Sequence, residues 1–263
     1  MTATTAKKRF GQNFLHDRGV IQRILSHIRP QAGDSLVEIG PGRGALTEGL
    51  LQAAGRLTAV EIDRDLIDAL TRRFGPSLSL LVQDVLTVDF RALAHASQGP
   101  LRVVGNLPYN ISSPILFHLL PVADQVVDQT FMLQKEVVDR MVASEGSKVY
   151  GRLSVMLQAR YTLERIFLVP PDAFSPAPAV DSAIVTMWPL PQAQCQVKDW
   201  VIFERLVADA FSARRKMIRN TLVAYEGRLD LAAAGVRETD RPEAVAVQSY
   251  IQLANQLTIE RTG

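Results

Sequence analysis

The sequence predicts an α/β protein in which a seven-stranded, mainly parallel sheet carries helices on both faces and is followed by a small all-helical domain. From Ser35 to Met187, short apolar runs alternate with amphipathic stretches, which is the pattern of successive βα units. The strand patterns then stop, and apolar residues recur at helical spacing over residues 203–222. The chain has 263 residues, 47% of them hydrophobic, which is enough for one sizeable core and a smaller second domain.

Each element of this architecture has its own local pattern. The predicted strands cover residues 35–39, 56–62, 79–84, 101–106, 129–134, 164–169 and 182–188. Helical patterns follow the first, second and fifth strands, and the second of these helices has Asp63 at its start and Gly75 just past its end. A proline-rich segment separates the last two strands. We therefore predict one domain over residues 1–188, including an N-terminal arm and helix, and a helical domain over residues 189–263.

Composition narrows the class of protein. No apolar run approaches the ~18 residues of a membrane helix, and no signal-peptide pattern follows the basic N-terminus, so we expect a soluble, cytoplasmic protein. The lone Cys195 excludes an internal disulfide, and four scattered histidines give no metal-ligand spacing. The net charge is only +2, but basic residues cluster at Lys7–Arg9 and again over residues 214–219, where they can attract a polyanion.

A glycine-rich loop, "EIGPGRGA", joins the first strand to the first helix of the sheet. Gly40, Gly42 and Gly44 allow a sharp turn and a close approach of the backbone to a ligand. Glu61 ends the second strand, where an acid can bind a ribose diol, and Asp84 ends the third, where it can accept from an adenine amine. NAD and S-adenosylmethionine both have these groups, so the loop alone leaves both open.

The fourth strand ends in "NLPY", and this segment favours methyl transfer. The exocyclic amine of adenine is a poor nucleophile, so a site that methylates it must hold both N–H hydrogens with acceptors. The side-chain oxygen of Asn106 and the backbone carbonyl of Leu107 can supply them, because Pro108 biases Leu107 toward an extended conformation. Tyr109 can stack on the base. The alternative is a purely structural role, in which Asn106 caps a turn, Pro108 ends the strand and Tyr109 packs in the core. If the cofactor were NAD, the Pro-Tyr pair would have no evident function.

With these motifs the sequence resembles the ribosomal RNA adenine N6,N6-dimethyltransferases. Within that family it is most similar to the bacterial small-subunit (16S) enzymes associated with kasugamycin sensitivity. Besides the two motifs above, the resemblance rests on four segments that together extend over nearly the whole chain. They are "RFGQNFLHD" (9–17), "QDVL" (83–86), "FSPAPAVDSAIV" (174–185) and "FSARRKMIRNTL" (211–222). The fold this implies is a Rossmann-like methyltransferase sheet with S-adenosyl-L-methionine as cofactor.

The resemblance also implies roles for individual residues. The cofactor-binding residues it implies are Asn13, Leu15, Gly40, Gly42, Glu61, Asp84 and Asn106. Among them the glycine loop lies against the methionine part, Glu61 on the ribose and Asp84 on the adenine. The implied catalytic residues are Asn106, Leu107, Pro108, Tyr109 and Phe174. Phe174 would stack on the target base opposite Tyr109, since an unstacked adenine needs a new π-surface on each side. Without the resemblance, core packing explains Phe174 equally well.

The implied substrate is a pair of adjacent adenines in a hairpin loop near the 3′ end of small-subunit rRNA, methylated within a pre-30S particle. The implied partner is therefore RNA, with no membrane and no metal, and we expect a monomer. The candidate RNA-binding residues are Arg214, Arg215, Lys216 and Arg219. On a helix over 203–222, Arg214 falls on the apolar row and faces the cleft or the other domain, whereas the other three meet phosphate.

Three alternatives stay open at this point. The nearest is a macrolide-resistance type methylase of large-subunit rRNA, which shares the cofactor and amine motifs. The second is a nucleotide-dependent dehydrogenase, which shares the glycine loop. The third is a non-catalytic ribosome assembly factor that kept the fold and binds RNA without turnover. Two segments, "FSPAPAVDSAIV" and "FSARRKMIRNTL", favour the small-subunit enzyme.

Overall fold

The computed structural model describes residues 12–97 and 99–259, so the basic cluster Lys7–Arg9 lies outside the described residues. The strands are β1 (Phe14–Leu15), β2 (Ser35–Ile39), β3 (Leu57–Glu61), β4 (Leu78–Val82), β5 (Leu101–Asn106), β6 (Val126–Gln134), β7 (Tyr161–Val169), β8 (Phe174–Ser175) and β9 (Ser182–Pro189). The helices are α1 (Arg18–Ile28), α2 (Thr47–Ala54), α3 (Arg64–Phe74), α4 (Phe90–Ala96), α5 (Ser112–Leu119), α6 (Lys135–Met141), α7 (Arg152–Gln158), α8 (Trp200–Ala210), α9 (Ile218–Thr221) and α10 (Val247–Ile259). Among the described residues, no helix is both long and apolar enough to cross a membrane.

Seven of these strands form one sheet in the order β4-β3-β2-β5-β6-β9-β7, which confirms the predicted α/β fold. β4, β3, β2, β5 and β6 are parallel, and β9 runs antiparallel to β6. The central strands are nearly continuous runs of buried apolar residues, as expected where helices cover both faces of a parallel sheet. β6 and β7 each begin three residues before the predicted strand, at Val126 and Tyr161.

The helices on the sheet follow the local sequence signals. α3 begins where the Asp63 side chain accepts from the Asp65 amide, and it ends at Gly75, which has a φ of +57°. Its buried face carries Leu66 and Leu70. α2 packs so closely on α1 that a Cβ at Gly49 would lie 2.2 Å from a methyl of Leu25. α2 packs against β2 and β3, and α3 packs against β3 and β4, the strands at whose ends the candidate site lies.

The residues divide into two compact units that do not follow a single cut along the chain. Of the described residues, the first unit takes those within Met1–Val138 and Glu164–Pro189, and the second takes those within Asp139–Leu163 and Leu190–Gly263. The sequence places one boundary near residue 189. The second unit additionally contains residues 139–163, because α7 packs against α8 and α10.

The predicted helix over residues 203–222 is wrong as a continuous element. α8 ends at Ala210, a 3-10 turn follows, and α9 begins only at Ile218. The chain leaves the helix because its backbone bonds elsewhere: the Ile218 amide donates to the Asp240 carbonyl at 2.7 Å. The apolar residues behind the prediction are nonetheless largely buried, including Phe203, Leu206, Val207, Ala210, Ile218 and Leu222. Helical spacing therefore predicted burial correctly but not the path of the backbone.

Candidate active site

The polar residues predicted to form a site lie side by side at one edge of the sheet. Asp84, Glu61, Gly40 and Asn106 end or follow β4, β3, β2 and β5, and these four strands are neighbours in that order. The pairing register aligns them, since Ile39 lies opposite both Val60 and Gly105. Because parallel strands end at the same edge, this is where open α/β sheets bind ligands.

A cavity of about 280 Å³ opens at this edge, within the first unit. Nine predicted site residues line it: Asn13, Gly40, Gly42, Glu61, Asp84, Asn106, Leu107, Pro108 and Tyr109. The sequence missed several others, namely Gln12, Phe14, Ile62, Leu66, Gln83 and Val85. Five of these six adjoin a predicted residue, and four of the six are apolar, which suits the face of a flat ring. Of these residues, Ile62 was the easiest to predict from the sequence, because it directly follows the acid at the end of β3. In the structure this apolar side chain is 46% exposed.

The backbone conformation of the glycine loop favours residues without a side chain. Gly40 and Gly42 have φ angles of +68° and +57°, in the left-handed region that favours glycine. A Cβ at Gly42 would also lie 3.2 Å from the ring of Phe14, which belongs to the arm. The guanidinium of Arg43 stacks over the same ring, 4.4 Å from its centre. The loop and the arm therefore fit together tightly on one side of the cavity.

Two buried carboxyl groups lie near this loop. Glu61 accepts hydrogen bonds from the amides of Ile62 and Asp63 at 2.9 and 2.8 Å, and burial nevertheless raises its pKa. Glu38 in β2 is 2% exposed and accepts a 2.6 Å hydrogen bond from the Thr47 hydroxyl. Burial raises the pKa of Glu38 to about 7, and repulsion by Glu61 contributes.

Asp84 lines the cavity and is held by the turn that follows it. One carboxylate oxygen, Oδ1, accepts from the Leu86 amide at 3.0 Å. The carboxylate thereby caps the 3-10 turn over Val85–Thr87. This bond fixes the side chain at the cavity, and the second oxygen, Oδ2, is the atom that can accept from a ligand amine.

The arm contacts both sides of the cavity. The Gln12 side-chain amide donates to Asp63 Oδ2 at 2.8 Å, just beyond β3. The Asn13 carbonyl accepts from Asn106 Nδ2 at 3.0 Å, at the end of β5. Because the amide nitrogen of Asn106 is directed to the arm, its side-chain oxygen is the atom that can accept from a ligand.

The backbone around the NLPY segment is held by the sheet. A Cβ at Gly105 would lie 2.5 Å from the Ile39 carbonyl oxygen, so glycine is needed where β5 passes β2. The Leu107 amide then donates to the Met132 carbonyl at 3.2 Å, and Leu107 is 1% exposed. The Tyr109 ring lines the cavity and is half-buried.

Phe174 and Leu15 lie beside this site rather than in its wall. They are opposite each other in the short antiparallel pair β1–β8, which joins the arm to the proline-rich segment. Phe174 is 3% exposed and packs with Phe14 and Leu15 in the main hydrophobic cluster. The structure thus places the Phe174 ring in the core, and the cavity wall contains Tyr109 without it.

The four basic candidates lie in the second unit and differ in their contacts. Arg214 donates to the carbonyls of Lys148 and Tyr150 at 3.0 and 2.8 Å, so it holds the loop over Lys148–Tyr150, which belongs to the same unit. Arg219 lies 3.6 Å from Glu238. Arg215 and Lys216 are exposed. The prediction that Arg214 lies on a different face from the other three assumed one continuous helix over residues 203–222, and that assumption is wrong.

Comparison with known proteins agrees with the site. The family described as ribosomal RNA adenine dimethylase matches residues 3–258. The chain belongs to this family. It is 53% identical over 261 residues to ribosomal RNA small subunit methyltransferase A of Burkholderia ambifaria, covering 97% of this chain and 95% of the relative. It is 51% identical to the protein of the same name from Cupriavidus taiwanensis, covering 98% and 95%. The family match sets the dehydrogenase interpretation aside.

Solved structures of related proteins share the fold. A dimethyladenosine transferase from Plasmodium falciparum aligns with a TM-score of 0.78 at 22% identity, covering 94% of this chain and 98% of that one. The 23S rRNA methyltransferase ErmE aligns with a TM-score of 0.69 at 27% identity, covering 94% and 100%. The seven-stranded methyltransferase fold with C-terminal helices is therefore shared along almost the whole of each chain.

Proposed function

We propose that this protein uses S-adenosyl-L-methionine to dimethylate N6 of two adjacent adenines in a 3′-terminal hairpin loop of small-subunit (16S) rRNA. The reaction takes place in the cytoplasm during ribosome assembly, on a pre-30S particle, with the enzyme as a monomer. The observation that carries the proposal is the end of β5, where Asn106 is held by the Asn13 carbonyl with its oxygen available as an acceptor. The choice of subunit rests on relatives named for the small subunit, at 51–53% identity, against 27% for the 23S enzyme.

The residues around the cavity fit S-adenosylmethionine. Gly40 and Gly42 have left-handed φ angles that favour glycine, and a Cβ at Gly42 would crowd the Phe14 ring; this bare backbone suits the methionine part. Glu61 would accept from the ribose hydroxyls and Asp84 from the adenine amine, while Ile62 would cover the adenine ring. Asn13 and Leu15 belong to the arm that borders this space. When bound, S-adenosylmethionine supplies an activated methyl group.

The remaining chemistry is positioning of the target amine. The side-chain oxygen of Asn106 and the carbonyl of Leu107 accept its two N–H hydrogens, so that the nitrogen lone pair is directed toward the methyl group. Pro108 holds the Leu107 carbonyl in place, and Tyr109 stacks on the adenine. No strong base is needed, because the methylated ammonium loses its proton readily. For the second transfer, one acceptor gives way to the first methyl.

Phe174 is the second stacking surface in this proposal. Its ring packs with Phe14 and Leu15 in the core, so a base that stacks on it requires the ring to turn one face out of that cluster. The pairing of β1 with β8 ties this ring to the arm. Tyr109 already faces the cavity and needs no such movement.

RNA affinity is assigned to the basic residues of the second unit. We assign residues 1–188 to methyl transfer and residues 189–263 to RNA and ribosome binding. Arg215 and Lys216 are exposed and can contact phosphate directly, and Arg219 can do so beside its contact with Glu238. Arg214 holds the Lys148–Tyr150 loop and so supports this surface.

Methyl incorporation tests the proposal. Small and large subunits from cells that lack the modification would be incubated with labelled S-adenosylmethionine, and modified nucleosides identified by mass. We expect dimethyladenosine in small-subunit rRNA, lost in Asn106→Ala and retained in Gln52→Ala, an exposed amide on α2. Label in large subunits would instead indicate the macrolide-resistance type of activity. Cofactor binding with no label in either subunit would indicate a non-catalytic assembly factor.

A further inference from the structure

The phenol of Tyr109 is tied to a strand that the catalytic motif does not include. Its oxygen lies 2.6 Å from the hydroxyl oxygen of Ser182, in a hydrogen bond that either group can donate. Ser182 is the first residue of β9 and is 0% exposed. Burial raises the pKa of Tyr109, so the phenol keeps its proton at neutral pH. Ser182 gives this protonated phenol of a half-buried ring a hydrogen-bond partner.

Ser182 belongs to the rigid frame of the sheet. It lies opposite Gln134 in the antiparallel pairing of β9 with β6, and the carbonyl of the preceding residue, Asp181, accepts from the Lys135 amide at 2.9 Å. At its other end, Tyr109 is fixed by the Ser112 hydroxyl, which donates to the Tyr109 carbonyl at 3.0 Å. Two hydroxyl groups therefore hold both the backbone and the ring tip of this tyrosine.

We propose that Ser182 is a positioning residue for methyl transfer, acting through the Tyr109 phenol to fix the plane of the ring on which the target adenine stacks. This inference rests on the proposed function. A tyrosine side chain has two main torsions, and a ring held only by packing can tilt within the cavity wall. Tilt of the ring moves the stacked base, and small displacements of a reacting atom reduce the rate strongly. Ser182 does not line the cavity itself, so it does not touch the cofactor.

A double-mutant cycle tests this role. Steady-state methylation of small subunits would be measured for Ser182→Ala, Tyr109→Phe and the double variant, with kcat, KM and S-adenosylmethionine affinity recorded for each. Loss of one hydrogen bond predicts a drop in kcat of about five-fold in each single variant. Because both changes remove the same bond, the double variant should lose about five-fold as well, with cofactor affinity unchanged.

Several outcomes would overturn the inference. A loss of about twenty-five-fold in the double variant would show that the two side chains act independently. No change in kcat for either single variant would show that ring orientation does not need the bond. Thr186→Val removes another buried hydroxyl of β9 and should leave kcat unchanged; an equal loss there would assign the effect to general weakening of the strand. If Ser182→Ala does not fold, kcat of Tyr109→Phe decides the matter.

The unaltered protein and the Asn106→Ala variant together separate this inference from the proposed function. Loss of activity in Asn106→Ala together with full activity in both Ser182→Ala and Tyr109→Phe would refute the role of Ser182 alone. Full activity in Asn106→Ala would refute the acceptor role of Asn106 alone. Absence of dimethyladenosine from small-subunit rRNA with the unaltered protein would refute the proposed function, and the assignment of Ser182 with it.

Discussion

Replacing Glu38 by Gln should make the protein more stable at high pH relative to the parent, by an amount that can be worked from burial. Glu38 is 2% exposed, and burial raises its pKa from the ordinary 4.5 to about 7. Each tenfold change in an acid constant corresponds to about 1.4 kcal/mol, so ionised Glu38 reduces the free energy of unfolding by on the order of 3 kcal/mol. The folded state holds the proton more tightly than the unfolded chain, so stability falls as the pH rises from about 4.5 to 7.

Gln keeps an oxygen that can accept from the Thr47 hydroxyl but has no charge to titrate. The amide adds buried donors whose effect is independent of pH, so the informative quantity is the change with pH in the difference between variant and parent. We expect that difference in the free energy of unfolding to rise in favour of Glu38→Gln by about 3 kcal/mol between about pH 4 and 8.

Urea unfolding followed by tryptophan fluorescence measures this difference. The chain has two tryptophans, and in a Trp200→Phe background Trp188 on β9 reports on the sheet. Glu48→Gln is the matched control, because Glu48 lies nearby on α2 but is exposed and pairs with Arg73. A difference between Glu38→Gln and parent that stays constant across this pH range would refute the argument from burial.

Three further predictions concern packing, a partly buried ion network and RNA binding. Gly105→Ala should lower the free energy of unfolding by about 2 kcal/mol or more, because the new Cβ would lie 2.5 Å from the Ile39 carbonyl oxygen. Gly99→Ala is the control, because the space around Gly99 is open. Equal stabilities of the two variants would contradict the packing argument. Arg102→Met should lower the free energy of unfolding by roughly 3 kcal/mol, because Asp34 and Asp128, 2.6 and 2.7 Å from the guanidinium, lose their cation. Arg73→Met, at an exposed ion pair, should cost far less in the same urea assay. Similar losses in the two variants would refute the distinction between the partly buried and the exposed ion pair. Arg215→Gln with Lys216→Gln should weaken binding to small subunits and reduce its salt slope by about two, whereas an unchanged slope would remove these residues from the RNA surface.

The sequence was most informative where one local pattern decides one local structure. Buried parallel strands such as β2 and β5 are apolar throughout and end abruptly at polar or glycine residues, so both their positions and the functional edge were predictable. The break after Ala210 was not, because the competing hydrogen bond comes from Asp240, far along the chain. Helical spacing reports which residues are buried, and two short elements can bury the same residues as one long helix.

The arm shows a second limit of prediction from sequence. β1 has two residues, and its partner β8 lies about 160 positions later, so no local pattern could indicate the pairing. The same holds for the bonds from Asn13 to Asn106 and from Tyr109 to Ser182, which join segments 93 and 73 residues apart. The motifs identified nine of the residues that line the cavity, whereas the bonds that Asn106 and Tyr109 make to distant segments became apparent only in the folded chain.

Glu38 also distinguishes two interpretations of a perturbed carboxyl near an active site. A pKa of about 7 is what a general base would have, and such values often mark catalytic groups. Glu38, however, does not line the cavity, and its carboxylate is bonded to Thr47. In the mechanism proposed above, methylation of the adenine amine needs acceptors from Asn106 and Leu107 rather than a strong base. Stability and catalysis should therefore separate in Glu38→Gln: the unfolding free energy should fall less than that of the parent between about pH 4.5 and 7, whereas the pH profile of kcat should match that of the parent. A kcat that falls sharply in this variant and loses a pH-dependent limb near 7 would instead make Glu38 a base.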